Sequence, residues 1–250
     1  MVKMMLVVKK IVTALICMLP SILAVQLLRL IGHSVGRKVK IGLSIVYADI
    51  IYLQDFSRIG HLNFICCDGL DIAESAYIGR GNIIYGSFWV ILHKLAAIGN
   101  NNKIIRGPKN TVSATKSSIN LGELSKVTTN HRIDMSRSVK FGKYTTLAGA
   151  KSEIWTHGYF HDREGPGRYR IDGEVILGDN IYIGSSSIIV AGVKIASGAH
   201  VGPGASITKN ITSEGIYLSP MPIKISSEVL SSDHLTRDET IKSEIVLFTP

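Results

Sequence analysis

LGDNIYIGSSSIIVAGVKIASGAHVGPGASIT, residues 177–208, places an aliphatic side chain at every sixth position. The aliphatic series is Leu177, Ile183, Ile189, Ile195, Val201 and Ile207. A period of six fits neither an amphipathic helix, which repeats near 3.6 residues, nor an isolated strand, which repeats every two. It is expected when each hexad forms a short strand and a turn, so that three hexads close one triangular coil. The aliphatic side chains then stack inside a prism.

Small residues accompany this repeat. Ser187, Ala199 and Ala205 fall where a tight corner leaves no room for a bulky side chain. Glycines recur through the same stretch, at 178, 184, 192, 198, 202 and 204. We expect them to supply turn conformations that a Cβ atom would penalise.

The same spacing recurs earlier in the chain. Residues six apart are Ile59 and Ile65; Ile72, Ile78, Ile84 and Val90; Ile98 and Ile104; Leu121, Val127, Ile133 and Val139; and Phe141 and Leu147. Breaks in the spacing predict insertions at corners, the longest between Ile104 and Leu121 and between Leu147 and Leu177. With about 18 residues per coil and about 4.8 Å between strands, we expect seven or eight coils and a prism on the order of 35 Å tall.

Length and composition agree with one large domain that carries appendages. The chain has 250 residues, 24 glycines and two tryptophans, which suits a coil of thin rungs. We expect an apolar and basic helical segment at 1–38, the coil with its loop 154–174 at 39–226, and a tail at 227–250. Three cysteines form neither a disulfide framework nor a CxxC metal motif, so a reducing compartment is expected.

The positive charge is concentrated in two regions. The formal net charge is +9, and residues 1–48 carry seven Lys or Arg and no acidic residue. Residues 94–143 carry ten basic residues against Glu123 and Asp134. Nucleic acid is the first partner that such an excess suggests, but no nucleic-acid-binding motif accompanies it. We therefore expect no nucleic-acid partner.

The first basic region brackets an apolar stretch. Ile11–Leu28 contains no charged residue, is at the lower length limit for crossing a bilayer, and is interrupted by Pro20. Three structures remain open: a kinked helix in the membrane interface, a true span, or a lid over the open end of the coil. The first uses both the apolar residues and the flanking cations, which would reach anionic head groups. It predicts a cytoplasmic protein, peripheral on the inner face of a bacterial membrane.

Residues 154–226 carry a set of motifs in a fixed order. His157 precedes the loop, and LGDNIYIG follows it in place of a family rung written IGxNxWIG, with Tyr182 where Trp is usual. ASITKNI (205–211) matches SxVTKDI, and SPMPIKI (219–225) resembles GxPAKxI. The stretch resembles the hexapeptide-repeat acyltransferases, in particular the sugar and polysaccharide acetyltransferases that include galactoside and maltose acetyltransferases. The resemblance implies an all-β, left-handed parallel β-helix.

The resemblance also implies an activity and a site. The expected protein is a homotrimer that uses acetyl-CoA to O-acetylate a sugar of a surface polysaccharide or its lipid-linked precursor. His157 is implied as general base, and Ser185 as the residue beside the thioester that supports the oxyanion. Residues implied along the coenzyme A path are Gly184, Gly202, Pro203, Thr208, Lys209 and Lys224. Pro203 departs from the family pattern and lacks an N–H, which puts one backbone contact in doubt.

The chemistry needs few groups. An acetyl thioester is already activated, so the enzyme must hold the reactants together, take the acceptor proton and stabilise an oxyanion. Imidazole titrates near neutrality and suits the proton transfer, with His161 as competitor to His157. Glu153, Asp162 and Glu164 are carboxylates that could orient the ring.

Several alternatives remain open at this point. Acceptor contacts from a neighbouring subunit could include His93, His131 or Trp89. Sugar N-acetylation is the runner-up activity, because the same base serves an amine. A γ-carbonic-anhydrase-like zinc site, built from His157 and His161 with His93 or His131, and a non-catalytic scaffold are alternatives of other classes. For the acetyltransferase no metal is expected.

Overall fold

The computed structural model of the chain describes residues 2–108, 115–220, 236–237 and 248–249. Lys224 and most of the expected tail lie outside the described residues. The chain divides into two units, Met1–Ser219 and Pro220–Pro250. In the second unit, two short strands, Thr236–Arg237 and Phe248–Thr249, pair antiparallel.

Two helices and two parallel sheets form the first unit. The helices are α1 (Val2–Ile16) and α2 (Ser21–Leu30). The larger sheet holds β1 (Ser34–Val35), β3 (Ile45–Leu53), β5 (Phe64–Ile72), β7 (Ile83–Tyr85), β8 (Trp89–Leu92), β10 (Lys103–Ile105), β11 (Ser118–Leu121), β13 (Arg132–Asp134), β14 (Val139–Phe141), β16 (Glu153–Ile154), β19 (Val175–Leu177), β21 (Ile188–Ile189), β22 (Lys194–Ile195) and β24 (Ser206–Ile207). The smaller sheet holds β2 (Lys40–Ile41), β4 (Arg58–Ile59), β6 (Tyr77–Ile78), β9 (Ala97–Asn100), β12 (Lys126–Thr129), β15 (Thr146–Ala150), β20 (Tyr182–Ile183), β23 (Ala199–Val201) and β25 (Gly215–Tyr217).

The strands stack as a parallel β-solenoid, which confirms the predicted β-helix; its left-handed sense stays a prediction. Within the described residues the smaller sheet contains nine strands, one for each turn of the coil. The predicted number of turns, seven or eight, is therefore smaller than the number observed. Its count began with the aliphatic pair at Ile59, whereas β2 adds a turn before it and β25 adds one after Ile207.

The aliphatic series forms the core as predicted. In one column, Ile133 stacks on Ile154, which stacks on Ile189, which stacks on Ile207. All four side chains are buried. Burial of such a side chain contributes about 1.5–3 kcal/mol, so each turn of the coil is stabilised mainly by its inward residues.

Glycine serves the coil in two ways. Gly198 has a φ of 78°, which an L side chain rarely adopts, as the sequence pattern predicts. Gly184 has no such φ, but a Cβ atom there would lie 2.6 Å from the backbone nitrogen of Pro203 on the next coil. Some glycines of the repeat are therefore needed for the close approach of neighbouring coils rather than for a turn conformation.

A ladder of buried polar side chains runs along one corner. Asn82 donates its N–H to the side-chain oxygen of Asn63, Asn102 to that of Asn82, and His131 to that of Asn102, each at 2.9 Å. Ser152 continues the ladder by donating its N–H to Nδ1 of His131 at 3.1 Å. His131 is 1% exposed, so it has no surface with which to contact an acceptor.

The ladder makes stability sensitive to acid. Burial lowers the pKa of His131 from 6.5 to about 4. Between these values the unfolded chain binds a proton that the folded chain does not, so stability is lost as the pH falls from 6.5 towards 4. At about pH 5 the loss is about 2 kcal/mol. His131→Asn extends the asparagine ladder with a side chain that does not titrate. We therefore expect the melting temperature of this variant to fall less than that of the parent between about pH 7.5 and about pH 5.

His200→Asn is the matched control, because His200 is exposed. Thermal melts of the two variants and the parent at both pH values make the comparison. An unchanged pH dependence in His131→Asn would contradict the prediction.

The N-terminal helices pack against the first coils. Ala24, Val25 and Leu28 on α2 are buried in the core, and Ile41 donates its N–H to the hydroxyl of Ser21 at 2.9 Å. Lys10 on α1 pairs with Asp49 at 2.9 Å. The lid interpretation therefore accounts for one face of this segment, while many apolar side chains on the other faces are exposed.

No helix in the described part of the chain has both the length and the apolar character needed to cross a membrane.

The repeat's register can be tested at two adjacent positions. Ile189 is fully buried, whereas Ile188 is 40% exposed. A carboxylate at 189 has no partner inside the prism and should cost several kcal/mol, comparable with the stability of a whole domain. We expect Ile189→Asp to unfold or aggregate, and Ile188→Asp to remain soluble, as judged by circular dichroism and thermal melts. Equal stability of the two variants would show that the inward residue is misassigned.

Candidate active site

The predicted loop 154–174 is an antiparallel hairpin that leaves one corner of the coil. Trp155 still donates its N–H to Ile189 of the next coil, at 2.9 Å. The chain then departs in β17 (His157–His161), turns, and returns in β18 (Arg168–Asp172). Gly173 closes the excursion by donating its N–H to Thr156 at 3.0 Å. His157 is therefore the first residue of the hairpin and lies where the hairpin joins the rigid prism.

A carboxylate from the preceding coil contacts this histidine. Asp134 ends β13, and its Oδ2 lies 2.9 Å from Nδ1 of His157. The two residues meet because Ile133 pairs with Ile154 in the sheet. Burial opposes ionisation of Asp134, but hydrogen bonds from Thr156 and His157 outweigh it and hold the pKa of the carboxyl below its ordinary value. Asp134 is consequently an anion at neutral pH.

This contact fixes the tautomer of the imidazole. An ionised carboxylate can only accept hydrogen bonds, so Nδ1 of His157 must carry a proton. In the neutral imidazole Nε2 is then the atom with the lone pair, and no described side chain forms a hydrogen bond with it. The His157 side chain is 23% exposed. The arrangement is that of a histidine general base with a buried anion behind it.

Ser136 and Arg170 connect the hairpin to this pair. Arg170 on the returning strand donates from Nη2 to the hydroxyl oxygen of Ser136 at 2.8 Å. Ser136 in turn bonds Oδ1 of Asp134 at 3.1 Å. Arg170 also donates from Nε to Asp172 at 2.6 Å. The base of the hairpin is thus fastened to the coil by charged hydrogen bonds, which are stronger than neutral ones.

Aromatic rings flank the histidine on both sides. The Trp155 and Tyr159 rings each lie 5.9 Å from the His157 ring, both edge-on. Further along the hairpin, Tyr159, Phe160 and Tyr169 are exposed. Arg168 lies over the Tyr159 ring at 4.6 Å. Side chains alternate along β17, so Tyr159 shares the His157 face of the hairpin, whereas Phe160 pairs with Tyr169 on the other face. Tyr159, with the guanidinium groups near it, suits a polar acceptor such as a sugar.

Ser185, the predicted oxyanion residue, occupies a different corner. Its hydroxyl accepts the N–H of Ala150 at 3.4 Å, and Ser186 donates its N–H to Ala150 at 2.9 Å. This corner precedes the strand face formed by β16 and β21, whereas His157 follows it. Within one chain the two residues are therefore separated by that face. Ser185 stays a prediction, and its approach to a base would involve a second copy of the chain.

The predicted coenzyme A residues divide between the same two corners. Gly184, Gly202 and Pro203 stack at the Ser185 corner, where the N–H groups of both glycines are already bonded to the next coil. Thr208 and Lys209 follow Ile207, which stacks on Ile189 and Ile154. They are exposed at the His157 corner, about two coil spacings, or about 10 Å, along the prism.

The acid that orients His157 was missed from the sequence. Glu153 instead accepts the indole N–H of Trp155 at 2.8 Å, and Asp162 and Glu164 are exposed near the hairpin tip. The sequence does contain a feature that could have identified Asp134. Asp134 is one of two acidic residues in the basic region 94–143, and it directly follows an inward position of the repeat, Ile133.

The three histidines of the zinc alternative do not assemble in one chain. His131 is buried in the polar ladder, and His161 is exposed at the outer end of β17. Among the described residues, no three His, Cys, Asp or Glu side chains are grouped as metal ligands.

Comparisons with known proteins agree with the repeat. No protein-family model matches the chain. The putative acetyltransferase YvoF of Bacillus subtilis is 35% identical over 81 residues, which is 32% of this chain and 42% of YvoF. The bifunctional protein GlmU of Thermodesulfovibrio yellowstonii is 41% identical over 51 residues, 20% of this chain and 11% of GlmU. The chain thus spans less than half the length of these relatives.

Solved structures also align with the chain. The polySia-specific acetyltransferase NeuO aligns with a TM-score of 0.46 at 17% identity, over 75% of this chain and 78% of NeuO. A point mutant of AntD, an N-acyltransferase from Bacillus cereus in complex with an amino sugar nucleotide and coenzyme A, aligns with a TM-score of 0.35 at 16% identity, over 82% and 91%. The chain contains a hexapeptide repeat and is similar over part of its length to a putative acetyltransferase. In this hexapeptide-repeat protein, Asp134 and His157 are the residues whose geometry bears most directly on chemistry.

The pairing of Asp134 with His157 can be tested by one isosteric change. Asp134→Asn keeps the shape of the side chain but lets its amide stabilise the opposite tautomer of His157. Using acetyl transfer to the acceptor as the readout, we expect kcat to fall by about 100-fold or more with little change in acetyl-CoA binding. Glu153→Gln is the matched control, because Glu153 contacts Trp155 rather than the imidazole. Equal effects of the two changes on kcat would show that Asp134 has no specific role in orienting His157.

Proposed function

We propose that this protein is an acetyl-CoA-dependent acetyltransferase that O-acetylates a sugar of a bacterial surface polysaccharide or of its lipid-linked precursor. The observation that carries the proposal is the Asp134–His157 pair, with Nε2 unoccupied at an exposed corner of a hexapeptide coil. Local similarity to a putative acetyltransferase supports the same reaction class.

The proposed reaction follows from the tautomer. Nε2 of His157 takes the proton of the acceptor hydroxyl as its oxygen attacks the thioester carbonyl. A carbon–oxygen bond forms, and the carbon–sulfur bond then breaks. The imidazolium returns the proton to the departing coenzyme A thiolate. Asp134 stabilises the imidazolium between these steps, since its anion lies 2.9 Å from Nδ1.

The surroundings of His157 suit the two substrates. Tyr159, Arg168 and Arg170 share the His157 face of the hairpin and offer aromatic and hydrogen-bonding contacts to a sugar. Thr208 and Lys209 are exposed at the same corner, where Lys209 could pair with a phosphate of coenzyme A. We also propose a homotrimer, because Ser185 occupies another corner and could complete the site from a neighbouring copy. A cytoplasmic, membrane-peripheral location is proposed from the exposed apolar residues and the cations of the N-terminal segment.

Sugar N-acetylation is the runner-up, since the same base would deprotonate an amine. The product separates the two, because an acetyl ester is cleaved by mild alkali or hydroxylamine whereas an acetyl amide survives both. We expect surface glycan from cells that express the protein to carry alkali-labile acetyl groups, and glycan from cells without it to lack them. Alkali-stable acetyl groups would establish N-acetylation.

His157→Ala tests the activity itself. We expect the variant to bind acetyl-CoA as the parent does, measured by calorimetry, while turnover falls by about 100-fold or more. His161→Ala, which changes an exposed residue of the same hairpin, should retain near-parental turnover. A parent protein that neither binds acetyl-CoA nor acetylates glycan would instead be a non-catalytic scaffold.

A further inference from the structure

A groove lies between α2 and the smaller sheet, at the N-terminal end of the coil, several turns away from His157. Its volume is about 1160 Å³. One wall is α2 with the turn before it, and the floor is the outer face of β2, β4 and β6. Ser21 joins wall to floor through its bond to Ile41, and Val25 is buried between them. The groove is therefore part of the folded unit rather than a gap beside a loose helix.

The described residues that line the groove include several cations and no carboxylate. Its basic residues are Arg29, Lys38, Lys40, Arg58 and Arg80. Lys40 and Arg58 are adjacent in the sheet register, so their Cα atoms are separated by about one strand spacing, about 4.8 Å. The acid at the neighbouring turn, Asp55, pairs with Arg37 at 2.8 Å outside the groove. Like charges held this close repel one another, and a bound anion would relieve that repulsion.

None of the four exposed cations Lys38, Lys40, Arg58 and Arg80 forms an ion pair with a described carboxylate. Two of them lie over aromatic rings: Lys38 over Phe56 at 5.1 Å and Arg58 over Tyr77 at 5.0 Å. Arg29 is held by its bonds to the carbonyl oxygens of Val35 and Gly36. Contacts within the fold thus position the charges of Arg29, Lys38 and Arg58.

The remainder of the groove is apolar and opens onto an apolar surface. Leu19, Ile22, Leu43 and Phe56 line it and are exposed. Ile22 is 81% exposed. Beyond the rim, Leu23 and Leu30 on α2 are also exposed, at 54% and 80%. An occupant therefore needs an anionic group for the cations and a hydrocarbon portion for the helix wall.

We propose that this groove binds the phosphate and the adjoining hydrocarbon of an anionic phospholipid. The phosphate oxygens pair with Lys40 and Arg58, while acyl carbons lie against Leu19 and Ile22. The exposed apolar residues of α2 enter the lipid interface beside them. The inference rests on the membrane placement proposed above, but it does not depend on acetyl transfer.

Vesicle co-sedimentation of the full chain tests the groove. We expect binding to vesicles that contain phosphatidylglycerol and weak binding to phosphatidylcholine alone. Lys40→Gln/Arg58→Gln should weaken the first by about 30-fold, since each cation near the surface contributes about fivefold. Ile22→Gln should weaken it as well. Lys103→Gln/Lys126→Gln removes the same charge from later coils and should change it by less than about threefold, because screening acts within about 8 Å.

The other outcomes overturn the proposal separately. Equal losses in the two double variants would mean general attraction of a basic protein to the surface. Displacement by inorganic phosphate at millimolar concentration would indicate a small-anion site. A changed oligomeric state of Lys40→Gln/Arg58→Gln, measured by light scattering, would make the groove an interface between copies. If the parent does not bind vesicles, both the lipid groove and the proposed membrane location are wrong. The proposed acetyltransferase activity is tested separately, by acetylation of a soluble acceptor.

Discussion

The structure depends on one constraint, the in-register stacking of coils on a shared column of aliphatic residues. Each turn contributes an inward side chain such as Ile133, Ile154 or Ile189, and parallel backbone hydrogen bonds hold these at the strand spacing. Because one coil rests on the next, every residue at a corner has a defined neighbour one coil away. The polar ladder from Asn63 to His131 is a direct result, since each side chain satisfies a backbone N–H of the coil after it.

The candidate active site is a second result of the same stacking. Asp134 and His157 are 23 residues apart, yet they occupy consecutive coils at one corner. A buried carboxylate is costly unless it is hydrogen-bonded, and here Thr156, Ser136 and His157 all bond it. The site thus combines a rigid element, the prism that positions Asp134, with a hairpin that presents the imidazole and its aromatic neighbours to solvent.

The N-terminal end of the coil differs in chemistry from the His157 corner. At the N-terminal end, α2 buries Ala24 and Leu28 to close the prism and leaves Ile22 and Leu30 outside. Covering the open end is a necessity for any solenoid, since its last coil would otherwise expose core residues. The same helix forms the wall of a cationic groove. A structural requirement and a proposed binding surface therefore share one element, and Val25 contributes to both.

The hexad series determined from the sequence alone that the chain is a parallel coil, which residues point inward, and that the loop before Leu177 departs from it. A period of six is sufficient for these conclusions, because it fixes the inward position within each strand. The motifs also singled out His157. These features are local, and they need no knowledge of how long each coil is.

The tertiary structure decided which residues meet across coils. The step between stacked core residues is 18 from Ile41 to Ile59, 29 from Ile98 to Val127, and 36 from Leu147 to Ile183. Corner insertions of unequal length thus prevent the period from giving the neighbour of any residue on the next coil. For this reason the sequence assigned no partner to His157 at Asp134 and did not predict the column of Lys40 and Arg58 beside α2.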